Sequence, residues 1–370
     1  MLQSSVAAPD YFLRHFQALC SALSRYRDLL NTDELALLGC PQTLDINALR
    51  LLVRLLGRRG SYFRISLLSY ADIDDLKLAI EELTQAGFVR SAHAIQFDNA
   101  GTCGTELSRL LTKDELYKSL AIVSPSNLPR NSTKANLVEF AEQGSLWPAI
   151  WNLFANDVIF VNADKSFGTL KLLYFGNSWQ EPSEFVVTEL GHREYESYPL
   201  DVAHRRFDSR ADIDLALFCA EVTVLLEDRK KLDVARLYEL ENQVLALSAT
   251  LVGDVKSVSL RRIDKLRTRL GREFERRNLP EAALRLYAGV SLPPARERTI
   301  RSLEALQRYH DAFHLAQQTL AAPKDDEEHR ACLRMLPRLA KKVGAQWQAE
   351  PYCEPLSQHI VLSRVQSAQR

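Results

Sequence analysis

Cations placed where a helix begins are locally unfavourable, because the helix macrodipole already puts partial positive charge there. The stretch "SNLPRNSTKANLVEF", residues 126 to 140, makes that placement. Pro129, Arg130, Asn131 and Ser132 read as a polar turn, and a helical pattern starts at once with Lys134. Ser132 or Thr133 can cap it. Unpaired backbone N–H groups of a first turn, together with Arg130 and Lys134, would seat a phosphate. An ordinary capped helix with a solvated lysine is the competing explanation.

Two more cationic series stand out. Arg50, Arg54 and Arg58 are spaced by four, with Arg59 next and Tyr62 and Arg64 just beyond. At about 100° per residue the first three share one helix face, away from Leu52 and Leu56. They could track a nucleic-acid backbone or pair with acids elsewhere. Within residues 258 to 279, Arg262, Lys265, Arg269, Arg272 and Arg276 recur every three or four positions. Leu260, Ile263, Leu266, Leu270 and Phe274 fall on the opposite side. Each phosphate neutralised by such a stripe would release a counterion and steepen salt dependence. A solvated outer helix is the alternative. Arg296, Arg298 and Arg301 add charge close by.

Catalytic patterns are scarce. The chain has no G-x-x-x-x-G-K-[ST], no G-x-S-x-G and no H-E-x-x-H. No catalytic or metal-ligating set is identified, and His192 and His204 lack convincing partners. "GDVK" (253 to 256) resembles the carboxylate-x-lysine strand of a metal nuclease. Such a site needs further carboxylates, and no strand precedes this one, so it is read as a decoy. The six cysteines are far apart and form no C-x-x-C pair, which argues for isolated reduced thiols over a zinc or redox site.

Hydrophobic content of 46% and charged content of 25% over 370 residues suit a globular protein of two or three domains. Formal net charge is +0, so any nucleic-acid role must come from local patches. No apolar run approaches the roughly 20 residues of a membrane span. The N-terminus, with Asp10 and no apolar core, does not read as a signal peptide.

The elements that must position these residues are mostly helical. Phe12, Phe16, Leu19 and Leu23 mark an amphipathic helix within 11 to 30. Leu49, Leu52, Val53 and Leu56 mark a second, stopped by Gly57 or Gly60. A third covers 70 to 90, with acids in its first turn, Leu76, Ile80 and Leu83 buried, and Gly87 at its end. "FVRSAHAIQF" then reads as a short strand or wing, in the order of a winged-helix unit. Thr112 and Glu115 have capping-box spacing. "DVIFV", "GTLKLLYF" and "SEFVVTEL" read as short strands, and "FGTLKLLYFGNSW" as a hairpin arm. From 209 to 345 helices return. Residues 276 to 289 and 306 to 323 align with Glu281 opposite Asp311 and Ala282 opposite Ala312, like tetratricopeptide units. Residues 232 to 241 suggest a degenerate third.

"LLTKDELYKSLAIVSPSNLPRNSTKANLVEF" resembles a SAP motif, two helices around a loop, with Asn131 and Ser132 where the family pattern often has Gly. The succession "YFLRHFQALCSALSRY", "LRLLVRLLGRRGSYFRI", "LKLAIEELTQAGFV", this motif, "FVVTELGHREYESYPL" and the helical repeats resembles the Fanconi-associated, VRR-type nucleases. That resemblance implies a DNA-repair phosphodiesterase acting on 5′ flaps and branched DNA in interstrand crosslink repair. It implies Mg²⁺ or Mn²⁺ in a C-terminal nuclease domain that matches no position here. This portion is therefore expected to bind DNA without cutting it alone, in a bacterial cytoplasm or a eukaryotic nucleus. It offers Arg130, Ser132, Thr133 and Lys134 to phosphates, and places Arg296, Arg298 and Arg301 near a 5′-phosphate pocket.

The expected architecture is mainly α. A winged-helix-like region spans 1–104 and a SAP-like motif 105–145. A connector with short strands spans 146–208, a tetratricopeptide-like solenoid 209–345 and a tail 346–370. A helical-repeat scaffold for a protein partner is the alternative function.

Overall fold

The structure, a computed structural model, describes residues 10–91, 102–125, 132–177, 180, 201–227, 232–251 and 257–348. The chain divides into two units, Met1–Leu217 and Phe218–Arg370.

In the first unit, α1 (Tyr11–Ala22) buries Leu13, Phe16 and Leu19 and tightens into a 3-10 turn. Phe16, Leu19 and Leu23 are buried as expected, joined by Tyr11 and Leu13, whereas Phe12 is 49% exposed. α2 (Thr32–Gly39) opens with a capping box of Asn31 and Glu34. α3 (Ile46–Leu56), capped by Asp45, ends at Gly57 as its sequence predicts. α4 (Leu76–Gln85) is capped by Asp75 and has no acid in its first turn. The acids expected there lie ahead of the helix, where Asp75 is the cap and Asp72 pairs with Arg54.

The wing needs a strand from much later in the chain. β1 (Tyr62–Arg64) and β2 (Val89–Ser91) both pair antiparallel with β3 (Val158–Val161), giving the order β1-β3-β2. Between β2 and β3 the chain makes an excursion of four helices. These are α5 (Thr102–Leu110), α6 (Lys113–Val123), α7 (Lys134–Gln143) and α8 (Trp147–Phe154). The period-2 alternation of β3 serves two cores. Ile159 and Val161 join Leu19, Leu52 and Leu83, whereas Val158 joins Leu116, Leu137, Trp147 and Trp151. The SAP-like pair thus has its own core on one side of the sheet strand.

Within the expected connector, 146–208, the described residues 146–177 pack into the first unit's cores. "DVIFV" forms the central strand, as its composition predicts, but "GTLKLLYF" is helical. It lies in α9 (Asp164–Phe175), where Phe167, Leu170 and Leu173 recur every three residues on a buried face. A short apolar run fits either period, and here the helical one buries more. "SEFVVTEL" lies outside the described residues.

The division between units falls within α10 (Arg210–Glu227). The second unit continues with α11 (Val234–Thr250), α12 (Ser257–Arg276) and α13 (Pro280–Tyr287). It ends with α14 (Ala295–Ala305), α15 (Tyr309–Ala321) and α16 (Asp326–Val343). From α11 onward, consecutive helices pack against one another, as stacked pairs do. The repeat is one residue shorter than the alignment of Glu281 with Asp311. Asn278 and Gln307 occupy equivalent turns with φ of 58° and 59°. Leu279 N donates to Phe274 O in one turn and Arg308 N to Leu303 O in the other. This register sets Ala283, not Ala282, opposite Ala312; both are fully buried.

The excursion's core is tight at one point. A Cβ on Gly104 would stand 2.6 Å from Cδ1 of the buried Trp147 ring. Gly104→Ala is expected to destabilise the first unit by about 1–3 kcal/mol, as overpacking does. Chemical denaturation of the two forms checks it.

Candidate nucleic-acid interface

α7 begins where the sequence places it. Thr133 is the cap: its backbone is extended and its Oγ1 accepts a hydrogen bond from Asn136 N at 3.3 Å. Lys134 is the first helical residue, and its side chain is half-buried. Ser132 is buried, at 6% exposure, just ahead of the cap. Arg130 lies outside the described residues. Leu137 and Ala141 anchor α7 in the excursion's core, which leaves its amino end at the rim.

A charged clasp fixes α6 and the sheet together. Arg64, on β1, donates from Nη1 to Glu115 Oε1 at 2.5 Å and from Nε to Asp157 Oδ2 at 2.8 Å. Its side chain is only 11% exposed. Glu115 closes the capping box of α6, accepting from Thr112 N at 2.8 Å, while Thr112 Oγ1 accepts from Glu115 N at 3.2 Å. Asp157 sits just before β3, accepts from Ser66 N at 2.7 Å, and receives Ile65 N on its carbonyl. The Arg64 guanidinium and the Thr112 N–H hold the Glu115 carboxyl down at about 2, well below its usual 4.5. A carboxylate depressed on folding stabilises the fold above its unfolded pKa, and that contribution is lost as pH falls through the folded value. Wild-type stability should therefore fall more steeply between pH 4.5 and 2 than that of Glu115→Gln. Acid denaturation followed by circular dichroism reads the difference.

The arginine face of α3 is divided. Arg50 donates to both carboxylate oxygens of Asp10, at 2.6 and 2.7 Å, and to the Asp72 carbonyl at 3.0 Å. Arg54 donates to Asp72 Oδ2 at 2.5 Å. These two are held by acids. Arg58 and Arg59 follow in an exposed turn. Tyr62 packs its ring against Phe160 and Trp151, with centroids 4.9 and 5.8 Å away, and serves as a wall of the excursion's core.

In the second unit, glutamates answer most of the predicted basic face. Arg276 pairs with Glu273, Arg298 with Glu275, and Arg301 with Glu297. Arg296 makes a two-pronged pair with Glu328, which is 1% exposed in its side chain. Arg296, Arg298 and Arg301, expected near a 5′-phosphate pocket, are each engaged in an ion pair. A cavity of about 340 Å³ beside them is lined by Arg272 and Arg298 together with Glu297, Asp325 and Glu327. Arg262 is half-buried near Cys219, one position round from the exposed stripe. The exposed cations of α12 are Arg261, Lys265, Arg269 and Arg276, and Leu260, expected on the buried stripe, is 40% exposed at the start of the helix. Arg261 was missed by the sequence spacing, although its interval of four to Lys265 would have found it. Arg269 has only a long contact with Glu227, at 3.7 Å.

Cys20, Cys40, Cys219 and Cys332 are free and buried. Among the described residues no three His, Cys, Asp or Glu side chains gather as metal ligands. Those residues offer no seat for the Mg²⁺ or Mn²⁺ that the resemblance implies. No helix among them is long and apolar enough to cross a membrane. "GDVK", His192 and all of "FVVTELGHREYESYPL" lie outside the described residues.

Helix, wing strand and completed sheet define a helix-turn-helix class of first unit, and a family profile described as "FAN1, HTH domain" matches residues 10–90. Over most of its length the chain is similar to a Fanconi-associated nuclease homolog. It is 33% identical over 348 residues to the Fanconi-associated nuclease 1 homolog of Pseudomonas aeruginosa, covering 92% of this chain and 58% of that protein. The Arabidopsis thaliana homolog is 26% identical over 54% of this chain and 23% of its own length. Among solved structures, paFAN1 bound to 5′-flap DNA with a gap and a two-nucleotide flap aligns with a TM-score of 0.76 and 31% identity. That alignment covers 94% of this chain and 61% of that one. The one-nucleotide-flap complex gives 0.75 and 32%, covering 93% and 61%. The chain spans about three fifths of the bacterial relative's length, and under a quarter of the plant relative's.

Proposed function

We propose that this chain recognises branched DNA carrying a 5′ flap, as the DNA-reading portion of a repair nuclease. The observation that carries this reading is the likeness, at 31% identity across nearly the whole chain, to a protein crystallised on 5′-flap DNA. The amino end of α7 supports it: Thr133 and Lys134 stand at the rim of a helix start held by its own core. Backbone contacts from such an end read DNA shape and position more than sequence. The near-neutral chain would bind through local charge, with Lys134, Arg58, Arg59 and, on α12, Arg261 and Lys265 as candidate cations. Cleavage with Mg²⁺ or Mn²⁺ is not assigned to any residue here.

A second reading, a scaffold for a protein partner, is favoured by apolar side chains standing exposed on the second unit, among them Val224, Val234 and Tyr238. Binding to 5′-flap DNA and to plain duplex at two salt concentrations separates the two. Flap preference with a salt-dependent affinity is expected; no binding, or none that responds to salt, leaves the scaffold. Lys134→Ala should weaken flap binding and reduce the slope of log K against log salt by about one phosphate contact or less, with the melting curve unchanged.

A further inference from the structure

We infer that Tyr70 is a positioning residue for DNA contact. Its ring holds Arg58 in the turn after α3, so that Arg58 with Arg59, and not Arg50 or Arg54, is the cationic pair offered by the helix-turn-helix unit. The inference rests on the DNA-binding reading above and names the residues through which this unit would act.

Four arginines stand within ten positions, and their surroundings rank them. Arg50 spends Nε, Nη1 and Nη2 on Asp10 and the Asp72 carbonyl. Arg54 takes the Asp72 carboxylate, and its guanidinium carbon lies 4.8 Å from the centre of the Tyr70 ring. Arg58 lies 5.3 Å from the same ring centre and makes no ion pair among the described residues. An aromatic face attracts a guanidinium through its quadrupole and leaves the charge uncompensated, whereas a carboxylate cancels it. Asp72 neutralises Arg54, so two like charges can share one ring, and the charge left over is that of Arg58. A ring-held arginine has already lost part of its rotamer freedom, which reduces the ordering needed on binding.

The backbone completes the arrangement. Gly57 caps α3, Arg58 N donates to Leu55 O at 3.1 Å, and Gly60 takes φ of 87°, a left-handed conformation that L side chains resist. The two arginines are thereby set on a fixed turn between helix and wing. The partner this chemistry suits is a phosphate backbone.

The test uses the whole chain and 5′-flap DNA, with Arg58→Gln, Tyr70→Phe, Tyr70→Met and the double variant R58Q/Y70M. Arg58→Gln should lower the salt slope by about one contact. Tyr70→Met should reproduce at least half of its logarithmic loss in affinity, while Tyr70→Phe stays within about twofold of wild type. The double variant should bind no worse than Arg58→Gln by more than about twofold, because the two residues act as one unit. Fully multiplying losses, or Tyr70→Met binding like wild type while Arg58→Gln does not, would overturn the inference. In the unaltered protein, the Arg58 Nε–H resonance, identified by its loss in Arg58→Gln, should shift on adding DNA while that of Arg50 stays. The reverse pattern overturns the inference even if Tyr70→Met fails to fold. An unaltered chain that binds no DNA at any salt concentration removes the reading beneath it, and the inference with it.

Discussion

The first unit depends on one desolvated guanidinium. Arg64 leaves water to lie between Glu115 and Asp157, two carboxylates from opposite ends of the helical excursion. Burying a charge is costly unless it is paired and hydrogen-bonded, and here each acid has further donors of its own. The clasp ties the helical excursion to the sheet. The start of α7 is placed by α6, and α6 is placed by a residue of the wing strand.

The same economy of charge governs the rest of the chain. Equal numbers of cationic and anionic residues give no hint of which arginines are occupied. Packing separates them into those closed by acids, such as Arg50 and Arg296, and those left open, such as Arg58 and Lys265. Both unpaired groups lie at the edge of an element fixed by something else: Arg58 at a glycine-bounded turn, Lys265 on a helix whose opposite stripe of Ile263, Leu266 and Leu270 is buried.

Helix positions were legible wherever local chemistry determines them. The Thr112 capping box, the Thr133 cap and the Gly57 stop are contacts within a few residues, and all three form. Features decided by distant partners were not legible. "GTLKLLYF" carries too few residues to distinguish a strand from a helix, and its burial against α1 and α2 settles the matter. The pairing of Arg296 with Glu328 and of Arg50 with Asp10 depends on residues brought from elsewhere in the chain. Ser132 looks like a second hydroxyl at a helix start, and its burial shows only in the folded chain. The one-residue slip in the helical repeat has a similar cause: alanines at 282 and 283 align equally well by sequence, and the turn geometry at Asn278 and Gln307 breaks the tie.

The central place of β3 has a consequence for synthesis. β1 and β2 are made early, yet among the described residues each has its ladder with Val158–Val161 and not with the other. On the ribosome, the helix-turn-helix region would emerge with two unpaired strand edges and keep them exposed until the whole four-helix excursion had followed. Such edges invite pairing with other chains, and non-local strand pairing is slow. A nascent chain arrested between Ser91 and Val158 would thus be the form of this protein most prone to aggregate, and the excursion's independent core would limit how long that form persists.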